Sequence, residues 1–137
     1  MSRRIDHVAI LVRELEQAVA FYRDTLGIEP DEIREVPTEQ IRIAFLSPGG
    51  PLASKIELIE PMTPDSSLMR FLEKRGEGMH HICLEVDDID ATLQELKAKG
   101  VVVLDQQPRI AAEGRAIFLH PKGTNGVLLE MLQKDEH

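Results

Sequence analysis

The sequence predicts an α+β fold of two tandem βαβββ modules whose strands form a curved mixed sheet around a metal site. The first observation behind this is an internal repeat. Residues 7–26, HVAILVRELEQAVAFYRDTL, align with residues 81–100, HICLEVDDIDATLQELKAKG, at a constant offset of 74. His7 falls on His81, Val8 on Ile82, Ile10 on Leu84, Leu15 on Ile89 and Val19 on Leu93. The second observation is a change of period inside each copy, from a short β-branched run to the three-and-four spacing of an amphipathic helix. The third lies in the closing strands, KIELIE at 55–60 and VLLEML at 127–132, which align Glu57 with Glu130 at an offset of 73. Each half therefore places a His in its first strand and a Glu in its last.

The elements follow in order. A strand from His7 leads into a helix striped by Leu15, Ala18, Val19, Tyr22 and Leu26, with Gly27 as its left-handed cap. Strands over 32–36, 41–46 and 55–59 complete the first module, broken by Pro37 and by the turn Ser47-Pro48-Gly49-Gly50-Pro51. A connector follows, with a short helix over 68–75 and Ser66 or Ser67 as its cap. The second module repeats the plan: a strand from His81, a helix carrying Ile89, Leu93 and Leu96 with Asp87 or Asp88 before it, then strands over 101–104, 116–119 and 127–132. The 137 residues thus read as one domain, with module one over about 4–60, the connector over about 61–78 and module two over about 79–133.

Composition excludes several classes of function. Apolar residues make up 42% and charged residues 29%, which suits a folded chain with a real core. A net charge of −8 argues against nucleic acid or an anionic membrane as partner, because either requires a basic surface. The single cysteine, Cys83, rules out an internal disulfide and any zinc-finger spacing. No apolar run is long enough for a signal peptide or a membrane helix, so a cytoplasmic location is expected.

Strand alternation assigns the faces. Val8, Ile10 and Val12 form one apolar face, Ile82, Leu84 and Val86 its counterpart, and these belong beneath the helices. His7, Glu57, His81 and Glu130 then point to the opposite side. Two imidazoles and two carboxylates make a mixed nitrogen and oxygen set for a divalent transition ion, and without thiolates they do not resemble structural zinc. On an octahedral ion they leave two positions for water or a chelating substrate. A single His or Glu on a strand is more often structural than a ligand, and it is the double repeat match that favours a metal. His80 lies on the other pleat and reads as structural. Cys83 reads as a small buried thiol and His120 as a turn residue, while His137 at the terminus carries no signal.

The segments IDHVAI, KIELIEP, GMHHICLEVDDID and AIFLHPKGTNGVLLEM together resemble the vicinal oxygen chelate superfamily, which includes glyoxalase I, over nearly the whole chain. Within it, GMHHIC with FLHPK and GVLLE is similar to the methylmalonyl-CoA epimerases. The resemblance implies a glyoxalase-like fold and a metal bound by His7, Glu57, His81 and Glu130, with cobalt first and zinc, nickel or manganese as substitutes. It implies interconversion of (R)- and (S)-methylmalonyl-CoA through a metal-stabilised enolate, with Glu130 as one base, and a homodimer. Lys122 is the preferred contact to the acyl-CoA substrate, flanked by Arg109 and Arg115. The pattern departs at Ile43, where some members carry a glutamate that serves as the second base; Glu39 and Glu85 are the candidate replacements. Three other functions share the scaffold: a glyoxalase I-type lactoylglutathione lyase, disfavoured by HPK and GVLLE; a metal-free small-molecule binding or resistance protein, disfavoured by the four intact ligand positions; and an extradiol dioxygenase, whose iron takes three protein ligands, disfavoured by the fourth at Glu57.

Overall fold

The computed structural model describes residues 2–135, so His137 lies outside the described residues. Two compact units divide the chain: His7–His80, and the chain before His7 together with the chain from His81 onward. Strand β1 (Ser2–Leu11) contributes its first half to the second of these and its remainder to the first.

In the unit His7–His80, β1 pairs in parallel with β4 (Lys55–Pro61), which pairs antiparallel with β3 (Ile41–Leu46), and β3 with β2 (Pro30–Val36). Helix α1 (Leu15–Ala20) packs on this sheet through Leu15 and Val19 against Ala44, Leu46 and Leu58. Each such side chain, fully buried, contributes roughly 1.5–3 kcal/mol. The stripe expected to reach Leu26 fails after Tyr22. From Phe21 to Thr25 the helix widens into a π-helical turn, and Leu26 is 51% exposed. A turn of i→i+5 bonds adds residues per revolution, so a side chain placed by the 3.6 period is carried off the buried face. Gly27 then adopts φ 72, as its left-handed capping role requires. Helix α2 (Ser67–Arg75) completes the unit, with the Ser66 hydroxyl accepting the Leu68 N–H.

In the other unit, β5 (Gly78–Val86) pairs in parallel with β8 (Leu129–Lys134), β8 antiparallel with β7 (Gly114–Leu119), and β7 with β6 (Arg109–Ala111). Helix α3 (Ile89–Ala98), capped by the Asp88 carboxylate on the Ala91 N–H, buries Ile89, Leu93 and Leu96 against Ile117, Leu119 and Met131. The expected strand over 101–104 is corrected by this geometry. Only Val103 bridges to Leu119, and the outer strand is the later segment Arg109–Ala111. Val101 and Val103 do face the core, which explains their apolar pattern. The Asp105 carboxylate then takes the Phe118 N–H at 2.6 Å, occupying the donor that a continuing ladder needs. The last strand likewise starts later than expected, at Leu129.

Candidate active site

In the unit His7–His80, the last ladder before α2 sets the candidate residues on the face turned away from α1. Glu57 on β4 is flanked by Ala9 on β1 and Phe45 on β3. His7 Nδ1 lies 2.9 Å from Glu57 Oε2, with the two side chains 5% and 6% exposed. The Arg34 guanidinium stands 4.9 Å from the Phe45 ring centroid and makes two bonds to Glu32.

The other unit repeats the arrangement. Glu130 on β8 is flanked by Cys83 on β5 and Phe118 on β7. His81 Nε2 lies 3.1 Å from Glu130 Oε1, both side chains 7% exposed, and the His81 ring meets Phe118 edge to face at 5.3 Å. Arg109 Nη2 donates to Glu130 Oε2 at 2.6 Å, its guanidinium lies 4.1 Å above the Phe118 ring, and its Nη1 reaches Asp105 Oδ2 at 3.5 Å. Cys83 is fully buried among Ala116 and Leu132, on the small apolar layer beside Glu130. A carboxylate this deep requires a partner of opposite or complementary character, and each Glu has an imidazole.

The donor sets fit a metal. Ligand atoms about 2.1 Å from an ion and at right angles stand about 3 Å apart, which is the separation of nitrogen and oxygen in both pairs. Each pair offers the nitrogen and carboxylate donors that divalent transition ions take, and would be available to hold one.

The remaining expected residues sit as follows. Ile43 is buried, 2% exposed, on the same face as Glu57, paired across the ladder with Ile59. Glu39 lies in the turn that precedes β3 and not within the strand, its N–H bonded to the Val36 carbonyl. Glu85 accepts from Arg4 Nε at 2.8 Å. Lys122 lies exposed on the short 3-10 turn after β7, where His120 Nδ1 accepts its backbone N–H; His120 is thus a turn residue. Arg115 forks onto Asp90 at 2.9 and 2.8 Å, and Arg109 is engaged with Glu130, so of the three cations near this segment two are tied to carboxylates. His80 meets Phe71 edge to face at 4.8 Å, consistent with a packing role. Sequence reasoning missed the Phe45 and Phe118 platforms, although IAFL at 43–46 and AIFL at 116–119 carry the offset of 73 that pairs Glu57 with Glu130.

A family profile for the Glyoxalase/Bleomycin resistance protein/Dioxygenase superfamily matches residues 6–118. The ethylmalonyl-CoA/methylmalonyl-CoA epimerase of Cereibacter sphaeroides is 43% identical over 97% of this chain and 99% of its own. The human mitochondrial methylmalonyl-CoA epimerase is 42% identical over 95% of this chain and 73% of its own. The chain belongs to the methylmalonyl-CoA epimerase family. Among solved structures, a variant of the Streptomyces coelicolor methylmalonyl-CoA epimerase in complex with 2-nitronate-propionyl-CoA matches with a TM-score of 0.91 at 37% identity, covering 99% of this chain and 100% of that one. The glyoxalase-like α+β fold read from the repeat is therefore the fold of this epimerase-family chain. Membership of the superfamily and the two buried imidazole-carboxylate pairs support a divalent metal ion. Among the described residues, no helix is long and apolar enough to cross a membrane.

Proposed function

We propose that this protein interconverts (R)- and (S)-methylmalonyl-CoA with one divalent metal ion held by His7, Glu57, His81 and Glu130. The observation that carries the reading is identity above 40% to named epimerases along nearly the whole chain. The two buried His–Glu pairs supply the donors the chemistry requires. An ion held by these residues would supply Lewis acidity toward the thioester oxygen, where negative charge grows as the α-proton leaves. Glu130 takes that proton on one face, and the carbon–hydrogen electron pair passes to the thioester as an enolate. A second acid, for which Glu39 and Glu85 are the candidates, gives a proton to the opposite face, and its spent base and Glu130 re-equilibrate with solvent. No atom is gained or lost. Glu130 has the oxygens for this, because an ionised carboxylate offers about four lone-pair sites. Ile43 carries no exchangeable proton and cannot act as the second base. Cobalt is the proposed ion, Lys122 the proposed contact to the acyl-CoA, and a cytoplasmic homodimer the proposed working state.

Incubation of metal-loaded protein with methylmalonyl-CoA in deuterated water tests the reading. Exchange of the α-proton is expected, with Glu130→Gln slowing it roughly 10²–10⁴-fold, the usual contribution of a general base. Isomerisation of the methylglyoxal–glutathione adduct without α-proton exchange would instead identify a lactoylglutathione lyase. Binding of a small molecule with neither reaction would identify a resistance-type binder.

A further inference from the structure

We infer that Arg109 is a positioning residue for Glu130, fixing its carboxylate so that one oxygen alone is turned to the metal. The inference rests on the metal role proposed above. Glu130 uses its two oxygens on different partners: Oε1 faces His81 Nε2 at 3.1 Å, and Oε2 accepts from Arg109 Nη2 at 2.6 Å. A carboxylate free to rotate can ligate through one oxygen or chelate through both. Arg109 removes that choice, because its donor claims Oε2 and leaves Oε1 beside the imidazole nitrogen.

The arginine is itself held by two further groups. Its guanidinium lies 4.1 Å over the Phe118 ring, its Nη1 reaches Asp105 Oδ2 at 3.5 Å, and Asp105 is fixed in turn by accepting the Phe118 N–H at 2.6 Å. Phe118 also packs edge-on against His81 at 5.3 Å, so one ring sets both the imidazole and the guanidinium. The planar fork and its stacking on an aromatic face are properties that lysine lacks. The corresponding ring in the other unit, Phe45, also carries an arginine, but Arg34 makes its two-bond fork with Glu32 on its own strand. Partners that orient a ligand in this way change metal affinity about 10–100-fold when removed.

The test titrates metal-free wild type, Arg109→Met and Arg109→Lys with Co2+, reading the visible absorption bands and the affinity in competition with a chelator, together with kcat and KM. Arg109 lies on the short outer strand β6 with its side chain 27% exposed, and thermal melts confirm that each variant is folded. Arg109→Met is expected to bind Co2+ about 10–100-fold more weakly, with altered band intensity as a second carboxylate oxygen enters the coordination shell, and to lose kcat with little change in KM. Arg109→Lys is expected to restore affinity in part while retaining the altered bands. Co2+ binding by both variants with wild-type affinity and spectrum would overturn the role of Arg109. Failure of wild type itself to bind Co2+ or any other divalent ion would overturn the metal reading and this role with it.

Discussion

Gln133 Oε1 accepts the backbone N–H of Ile89, the first residue of α3, at 2.9 Å. The other unit repeats the contact, with Glu60 Oε2 accepting the N–H of Leu15, the first residue of α1, at 3.0 Å. Both acceptors stand three residues after a candidate ligand, Glu130 and Glu57, so strand alternation turns them to the opposite face. Each closing strand thus presents a candidate ligand on one side and a helix cap on the other. Glu14, at the N-cap position of α1, makes no side-chain cap of its own, which leaves Glu60 in that role. Substituting Glu60 by Leu is expected to cost about 0.5–2 kcal/mol, the usual worth of a lost helix cap, while Glu60→Gln retains most of it. Urea unfolding measures both; equal stability of the leucine variant and wild type would refute the cap.

Metal binding should appear as stability. Co2+ at about 100 times its dissociation constant raises the unfolding free energy by about 2.7 kcal/mol when only the folded state binds it. Glu57→Gln keeps an oxygen donor beside His7 and is expected to retain most of that gain. Glu57→Leu has no donor and is expected to lose most of it. Thermal melts with and without Co2+ decide the point, and a leucine variant stabilised as much as wild type would remove Glu57 from the ligand set.

Lys134 Nζ lies 2.6 Å from Asp6 Oδ1, and the Asp6 side chain is fully buried. Burial alone pulls the lysine down from its ordinary value of 10.5, but the close contact with the Asp6 carboxylate and the charges of Asp6, Glu113 and Glu85 outweigh it and hold the ammonium above that value. A group raised in the folded state contributes fully below its unfolded value and loses the contribution as pH rises through the folded one. Lys134→Met removes one ion-pair partner of Asp6 while Arg4 remains 3.6 Å from Oδ1, and is therefore expected to be less stable than wild type by about 1 kcal/mol near neutrality. The gap is expected to shrink only above pH 10.5. Denaturant midpoints from pH 7 to 11 give the comparison; a gap already closing near neutrality would place its origin elsewhere.

Legibility in the sequence followed the range of the forces involved. Ser66 and Asp88 cap α2 and α3 where local chemistry places an acceptor, and Gly27 and Gly100 take φ 72 and 79 where the helices stop. The stripe Leu15 to Tyr22 held, but the π-helical turn that releases Leu26 has no signature in the hydrophobic pattern. Val101 and Val103 read as strand because they bury side chains, yet burial does not supply a ladder partner, and the strand formed at Arg109.

The candidate site divides in the same way. Repetition at fixed offsets and the period of two determined by themselves that His7, Glu57, His81 and Glu130 occupy equivalent strand positions and one side of their strands. Only the tertiary structure decided that Arg109, 21 residues before Glu130, would bond its carboxylate, and that Gln133 would reach 44 residues back to start α3. The physical reason is that periodicity is imposed by backbone geometry residue by residue, whereas a side-chain bond depends on the register of two strands and the length of the chain that joins them.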